Sequence, residues 1–350
     1  MGDFNGDGKL DVAVGESGTV DVYLGNGDGT FQKPIQTNVS FTFPVALLAA
    51  DLNNDGKLDL LVSNAGEQVV ITTVLLGDGS GRFTQGASYG PTDDTGGYLA
   101  VGDFNRDGNL DFVVSGQSSG GGGTREFLGN GDGTFRSANV VVDGLGVPVG
   151  GDFNGDGKLD LAVPIGFGDS HITVSFGNGD GTFQGGVSYD TELVASAVTA
   201  ADLSGDGKLD LITDGVVVLL NDGSGTFSLG ATVPLDNQGP NEPIGVGELT
   251  GGGQLDLAVV DELSASQQRL SVLLGSGKGK FQNPLNFDLG APQYFGGLGI
   301  GDFGGTGALG IVVAGDPGLL FVQSVASMSP TSLSFGNQAW ALRASRRPTR

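Results

Sequence analysis

Short apolar runs alternate with polar, glycine-rich stretches along the chain, and no stretch keeps a sustained helical period. The runs LDLLVS from Leu58 and LDLAV from Leu159 are rich in valine and leucine, as buried strands are. Two further runs, VVVLL from Val216 and ITVSF from Ile172, each lead into a glycine-rich turn. The pattern predicts short antiparallel strands joined by tight turns.

The same order of runs returns about every 50 residues. An acidic string opens the units, as DFNGDGKLD from Asp3, DLNNDGKLD from Asp51, DFNRDGNLD from Asp103, DFNGDGKLD from Asp152 and DLSGDGKLD from Asp202, with weaker copies from Glu248 and Asp302. A second motif, of the type LGNGDGTF, ends at Phe31, Phe83, Phe135, Phe183, Phe227 and Phe281. Each unit therefore predicts a strand, an acidic loop, two further strands, a glycine turn and a looser fourth strand.

Four antiparallel strands in a unit of this length are typical of one propeller blade, which buries its faces only by stacking on neighbours. We therefore predict an all-β fold, a seven-bladed β-propeller of four-stranded antiparallel blades over residues 1–325. Residues 326–350 form a tail. Its SPTSLSFGNQ stretch resembles the start of an Ig-like domain, and Ser329–Phe335 is a candidate to complete the first or last blade.

Composition narrows the function classes. The chain has 350 residues, 67 glycines, no cysteine and a formal net charge of -24. Such acidity argues against nucleic acid and anionic membranes as partners, because phosphate binding needs clustered lysine and arginine. No apolar run reaches the length of a bilayer span, so we expect no membrane insertion.

The acidic loop carries the candidate chemistry. Counted from its first aspartate, positions 1, 3, 5 and 9 carry oxygen-bearing side chains, and position 6 is glycine. Oxygen ligands in a flexible loop suit Ca²⁺, and position 7 can add a main-chain carbonyl whatever its side chain. An EF-hand is excluded because position 12 is Val14, Val62, Val114, Val163 or Thr213 rather than glutamate.

These motifs resemble the FG-GAP/VCBS repeat family of bacterial type, and related loops occur in the integrin α-subunit propellers. The resemblance implies a calcium-binding loop between the first two strands of a blade, with about five sites in this chain. The implied ligands are Asp3, Asn5, Asp7, Lys9 and Asp11; Asp51, Asn53, Asp55, Lys57 and Asp59; Asp103, Asn105, Asp107, Asn109 and Asp111; Asp152, Asn154, Asp156, Lys158 and Asp160; and Asp202, Ser204, Asp206, Lys208 and Asp210. The sixth and seventh loops lack most of these carboxylates, so we expect no metal there.

Other candidates have plainer interpretations. The GNGDGTF motif predicts a hairpin turn whose phenylalanine packs between blades. The glycine run Gly120–Gly123 predicts a flexible loop, and Tyr89 and Tyr189 stand at matching points that favour packing. His171 is the only histidine, so a catalytic triad of the usual kind is not expected.

We therefore expect a non-catalytic, calcium-stabilised platform for binding or adhesion, with a protein or glycan ligand. Carbohydrate binding as a propeller lectin, or service as the binding module of a larger secreted enzyme, stays open as an alternative. Sugars usually stack on aromatic side chains, but the single tryptophan, Trp340, lies outside the repeats. We expect an extracellular or cell-surface monomer. We also expect the chain to be a piece of a longer bacterial protein, because it begins inside a motif and carries no signal peptide.

Overall fold

The computed structural model describes residues 1–39, 44–65, 70–92, 94–118, 121–166, 168–233, 235, 244–264, 267–289, 295–315 and 318–322. The elements of this part of the chain are antiparallel β-strands joined by turns and loops. The predicted tail, residues 326–350, lies outside the described residues, as do Ser329–Phe335, Tyr294 and Trp340. Within the described residues, no helix has the length and apolar character needed to cross a membrane.

The strands form successive sheets, numbered here in chain order. Sheet 1 contains β1 (Val12–Glu16), β2 (Thr19–Tyr23) and β3 (Ile35–Asn38), and sheet 2 contains β4 (Pro44–Ala50), β5 (Asp59–Ala65), β6 (Val70–Gly77) and β7 (Phe83–Thr92). Sheet 3 contains β8 (Asp94–Gly102), β9 (Asp111–Ser118), β10 (Gly121–Gly129) and β11 (Phe135–Val142), and sheet 4 contains β12 (Val149–Gly151), β13 (Asp160–Pro164), β14 (His171–Ser175) and β15 (Val187–Asp190).

The second half of the chain continues in the same way. Sheet 5 contains β16 (Val198–Ala201), β17 (Asp210–Thr213), β18 (Val217–Asn221) and β19 (Phe227–Thr232). Sheet 6 contains β20 (Ile244–Gly247), β21 (Asp256–Ser264), β22 (Gln267–Leu273) and β25 (Leu285–Asp288), with the short ribbon β23 (Gly275–Gly277) and β24 (Lys280–Phe281) before its last strand. Sheet 7 contains β26 (Phe295–Gly301), β27 (Gly310–Gly315) and β28 (Gly318–Val322).

The predicted order of strands within a unit is confirmed, and the fold is an all-β propeller with four-stranded antiparallel blades. The predicted number of seven such blades is wrong for the described residues. Five sheets have four strands there, whereas sheet 1 and sheet 7 have three. Sheet 1 lacks the strand that precedes the acidic loop, where only a bridge between Gly2 and Asp11 is present. Sheet 7 is described only as far as its third strand.

The flexible loop predicted at Gly120–Gly123 is wrong for Gly121–Gly123, while Gly120 lies outside the described residues. Gly121, Gly122 and Gly123 begin β10, where they pair with Ser118, Gln117 and Gly116 of β9. A ladder of main-chain hydrogen bonds needs no side chain, so these glycines extend the hairpin instead of forming a loop.

Burial follows from the stacking of the sheets. The second strand of a sheet is covered on both faces by its neighbours, so every residue of β13 and β17 is buried. The fourth strand lies at the outer edge, and β15 and β19 are largely exposed. The continuous apolar runs of the sequence therefore mark inner strands, and the looser runs mark outer ones.

Phenylalanine pairs lie between neighbouring sheets, as the sequence predicts. The phenylalanine of a glycine turn packs against position 2 of the acidic loop in the preceding sheet. The rings of Phe4 and Phe83 meet edge-on with a centroid distance of 5.8 Å, and those of Phe104 and Phe183 are tilted at 5.7 Å. Phe31 of sheet 1 meets Phe303 of sheet 7 in the same way, at 5.8 Å. A buried cluster containing Val12, Phe31 and Phe303 joins these two sheets. The last described sheet therefore packs against the first.

The tyrosines are packing residues, as expected. The Tyr89 hydroxyl accepts a hydrogen bond from the Phe135 amide at 2.7 Å, and its ring packs on Phe112 and Phe135. The Tyr189 hydroxyl donates to the Gly225 carbonyl at 3.0 Å. Both tyrosines thus connect a fourth strand to the glycine turn of the next sheet.

We predict that Phe153→Ala lowers the free energy of unfolding by about 3–5 kcal/mol, because it empties the contact with Phe227. Phe153→Leu costs only about 1 kcal/mol, since leucine fills the same position at Leu52 and Leu203. Chemical denaturation of both variants checks this. An equal loss of unfolding free energy in both variants would show that the phenyl ring of Phe153 does not support the interface between the sheets.

Candidate metal-binding loops

The acidic loop has the same backbone in each complete copy. Position 6 has a left-handed φ, 81° at Gly8 and 78° at Gly157. Position 4 is also left-handed. It is glycine in three loops and is Asn54 or Arg106 in the other two, with φ of 58° and 60°. The left-handed backbone therefore favours glycine at position 6, and lack of space does not, since nothing lies within 4 Å of a side chain added at Gly8.

The carboxylate at position 1 closes this loop. Asp152 Oδ1 accepts from the Gly155 and Asp156 amides at 2.8 and 3.1 Å, and its Oδ2 accepts from the Gly157 amide at 2.9 Å. In all five copies one oxygen accepts from the position 5 amide and the other from the position 6 amide, at Asp3, Asp51, Asp103, Asp152 and Asp202.

Positions 3 and 5 form successive turns of the same kind. Asn154 Oδ1 accepts from the Asp156 amide at 2.9 Å, and Asp156 Oδ1 accepts from the Lys158 amide at 3.0 Å. The position 3 bond is repeated at Asn5, Asn53 and Asn105, and the position 5 bond at Asp7, Asp55, Asp107 and Asp206. Ser204, at position 3 of the fifth loop, is half-buried.

A lysine ammonium lies against the position 5 carboxylate in three loops. The Nζ to Oδ2 distance is 3.4 Å for Lys9 and Asp7, 3.2 Å for Lys158 and Asp156, and 3.2 Å for Lys208 and Asp206. Partial desolvation works to raise the pKa of Asp156, but the amide and ammonium of Lys158 outweigh it and hold that pKa below its usual value. The outer oxygen of position 5 thus faces a cation in these loops. The remaining position 7 side chains are Lys57 and Asn109, and Asn109 Oδ1 accepts from Asn54 Nδ2 of the neighbouring loop at 3.0 Å.

The position 9 aspartate is fully buried at the start of the second strand. Asp160 Oδ2 accepts from the Phe153 amide at 2.8 Å, and Asp160 Oδ1 accepts from the Gly177 amide of the glycine turn at 2.9 Å. The same pair of bonds ties loop to turn at Asp11, Asp59, Asp111 and Asp256. At Asp210 the loop donor is the Ser204 amide of position 3, and the turn donor is the Asn221 amide.

Burial raises the pKa of the position 9 carboxyls of the five full loops despite their hydrogen bonds, and it raises the pKa of Asp111 to about 6. The sequence analysis assigned position 9 to the metal and missed that its carboxylate also ties the acidic loop to the glycine turn. The signal was present, because Asp256 keeps position 9 in the sixth unit, whose loop has lost the position 5 acid.

The sixth and seventh loops keep related closing bonds with fewer acids. Glu248 Oε1 accepts from the Gly252 amide at 2.8 Å, and Asp302 accepts from the Thr306 and Gly307 amides at 3.1 and 2.7 Å. The turn of the loop therefore does not need the complete acid set. The closing of the turn therefore does not explain why the five full copies carry additional carboxylates.

The donor chemistry of the five full loops fits a hard cation, since every candidate side chain at positions 1, 3 and 5 offers oxygen. In the described part of the chain, however, no three histidine, cysteine, aspartate or glutamate side chains gather as a metal-holding group. The side-chain oxygens bond to amides of the loop instead. The calcium ligand set stays a prediction.

His171 has a partner that the sequence analysis missed. Its Nδ1 lies 2.6 Å from Asp169 Oδ1, and both side chains are more than two-fifths exposed. The pair lies at the opposite end of sheet 4 from the acidic loop. The D-x-H spacing was the available signal.

The FG-GAP-like repeat family matches residues 3–62, 103–163 and 152–213, and the FG-GAP repeat family matches residues 43–83. Together these matches cover more than half of the chain. The chain belongs to the FG-GAP repeat proteins. The resemblance inferred from the motifs is thereby confirmed.

No curated protein sequence matches this chain. Among solved structures, BBS1N in complex with ARL6DN is similar, with a TM-score of 0.55 and 14% identity over 90% of this chain and 87% of that one. The V. cholerae biofilm matrix protein Bap1 has a TM-score of 0.42 and 16% identity over 71% of this chain. This FG-GAP chain spans 39% of the Bap1 chain. At 14% identity, the similarity to BBS1N concerns the fold alone.

We predict that Asp160→Asn lowers the free energy of unfolding by about 1–3 kcal/mol, because an asparagine nitrogen cannot accept the second amide hydrogen bond. Asp156→Asn is the matched control. It keeps the acceptor for the Lys158 amide and costs less than about 0.5 kcal/mol in calcium-free buffer. Urea denaturation in EDTA compares the two variants. A loss at Asp156 as large as that at Asp160 would contradict the assignment.

Proposed function

We propose that this FG-GAP protein is a calcium-stabilised, non-catalytic binding platform that works outside the cell or at its surface. The observation that carries the proposal is the fivefold repetition of an oxygen-rich loop at one end of the sheets. Within each loop the like-charged carboxylates repel one another, and the side-chain oxygens compete for the same amide donors, unless a bound cation brings them together. Ca²⁺ supplies that positive charge when bound.

In one such loop, Asp152, Asn154, Asp156 and the main-chain oxygen of Lys158 would hold the ion. The ammonium of Lys158 supports this view, since it already lies 3.2 Å from Asp156 as a built-in cation. Asp160 keeps its amide bonds beneath the loop and couples the ion to the glycine turn. Calcium would then order the hairpin that contacts the next sheet.

The ligand belongs at the other end of the sheets, which we call the variable end. In the described residues it consists of connections between second and third strands, such as 214–216, and of connections from one sheet to the next, such as 143–148 and 191–197. These differ in length and sequence from unit to unit, whereas the acidic loops and glycine turns are nearly identical. Val45 and Val194 are 37% and 50% exposed there. Varied loops on a repeated scaffold are the usual carriers of specificity.

Removing calcium tests the stabilising role. We expect EDTA to lower the Tm by more than about 5 °C, because each saturated site adds stability by mass action. Added Ca²⁺ restores the Tm and equal Mg²⁺ does not, since Mg²⁺ demands a stricter octahedral shell. Calorimetric titration should count about five ions.

The variant Asp156→Ala sharpens the same experiment. It should remove one of the five sites and leave the other four, while Asp28→Ala, in a glycine turn, leaves all five. An unchanged melting curve in EDTA would disprove the calcium role for every loop at once.

Binding arrays separate a protein ligand from a carbohydrate ligand. We expect wild type to bind a component of a panel of extracellular matrix proteins in Ca²⁺, and Val194→Asp at the variable end to weaken that binding at least about tenfold. Asp28→Ser, at the end with the acidic loops, leaves it unchanged. Saccharide binding on a glycan array would support the lectin alternative. The packed positions of Tyr89 and Tyr189 weigh against that alternative.

A further inference from the structure

Glu126 breaks the repeat at one buried point. It lies three residues before the glycine that ends β10, where the other units with a glycine-turn motif carry a buried valine. These valines are Val22, Val74, Val174, Val218 and Val272. An ionisable group therefore occupies a site that the architecture elsewhere reserves for an aliphatic side chain.

The carboxyl group of Glu126 is enclosed without compensation. The residue is 0% exposed, and neither Oε1 nor Oε2 has a hydrogen-bond partner. Its neighbour on the same strand face, Thr124, also has a buried hydroxyl without a partner. A buried polar atom left unpaired is costly, so its protonation state matters for the packing around it.

The group lies between sheets 3 and 4. It pairs across the ladder with Val113 of β9. On the other side, a side chain added at Gly181, in the glycine turn of sheet 4, would meet Glu126 Oε2 at 3.4 Å and Leu128 at 3.2 Å. The aliphatic contacts of this interface, which include Val113, Leu161 and Val163, surround the region.

The charged groups around Glu126 favour its neutral form. Burial is the largest cause, and it raises the pKa of Glu126 to about 8. Asp111 of β9 and Asp180 of the sheet 4 turn act in the same direction, while Arg136 of β11 acts against them. Arg136 is exposed and forms no ion pair with Glu126. At neutral pH the carboxyl group therefore keeps its proton.

We propose that Glu126 makes the packing of sheet 3 against sheet 4 responsive to pH. The neutral carboxyl group is held in the interface, and release of its proton to solvent loosens the contact with the glycine turn of sheet 4. In the unfolded chain the same group has the ordinary glutamate pKa of about 4.5. The folded state therefore holds an extra proton from about pH 5 to pH 8, and stability declines as pH rises through that range.

The test compares the full chain with Glu126→Gln and Glu126→Val, using hydrogen exchange at pH 6 and pH 9 corrected for the intrinsic rate. We expect amides of β10 and β13 in wild type to gain at least about tenfold in opening between these pH values relative to both variants. Amides of β22, on the far side of the ring, show no such difference. Runs in saturating Ca²⁺ and in EDTA should agree, which separates this effect from the acidic loops.

A second measurement follows the carboxyl carbon of Glu126 by NMR, with exposed Glu192→Gln as a matched control variant that leaves the exchange pattern unchanged. Titration of Glu126 well above pH 6 supports the proposal. Titration in the ordinary glutamate range, or parallel pH dependence of wild type and Glu126→Val, overturns it. Valine occupies this point in five other units, so that variant keeps the comparison available if glutamine prevents folding.

Discussion

One buried carboxylate in each of the first six units holds this fold together at the end that carries the two motifs. The position 9 aspartate receives one amide from the acidic loop and one from the glycine turn, as Asp160 does from Phe153 and Gly177. The turn in its sheet then reaches the neighbouring one, since the Gly81 amide donates to the Phe4 carbonyl at 2.9 Å and the Gly279 amide to the Leu203 carbonyl at 2.9 Å. The acidic loop and the glycine turn recur together because the position 9 aspartate connects them. The glycine turn also hydrogen-bonds to the acidic loop of the preceding unit.

The two ends of the sheets therefore have different roles. The end with the acidic loops is fixed by side-chain hydrogen bonds that recur from unit to unit. The variable end of sheets 4 and 5 carries hydrogen bonds of its own, such as those from the Thr191 hydroxyl to the Ser170 carbonyl at 2.7 Å and from the Ser196 amide to Asp214 Oδ1 at 3.1 Å. The residues that make these bonds are not repeated at matching positions in the other units. A cation bound at the fixed end would therefore stiffen the scaffold without touching the surface that we assign to the ligand.

The spacing of the motifs was enough to predict the strand order, the inter-sheet phenylalanine contacts and the packing role of Tyr89. The sequence could not tell a carboxylate aimed at a metal from one aimed at backbone amides, because both need the same residue at position 9. It also passed over Glu126, since one acid in an apolar strand does not alter the period. Gly121 to Gly123 were misread because strand pairing through the main chain leaves no side-chain pattern. The strand counts of sheets 1 and 7 depend on pairing partners, which periodicity does not report.

The contact between Phe31 and Phe303 joins residues more than 250 positions apart, whereas every other pair of neighbouring sheets is linked by a short connecting segment. Closing the circle thus carries a chain-entropy cost that no other interface bears. We therefore expect this junction to be the last to form and the first to open when the molecule is heated or pulled. The interface between sheets 1 and 7 then sets the stability of the whole ring.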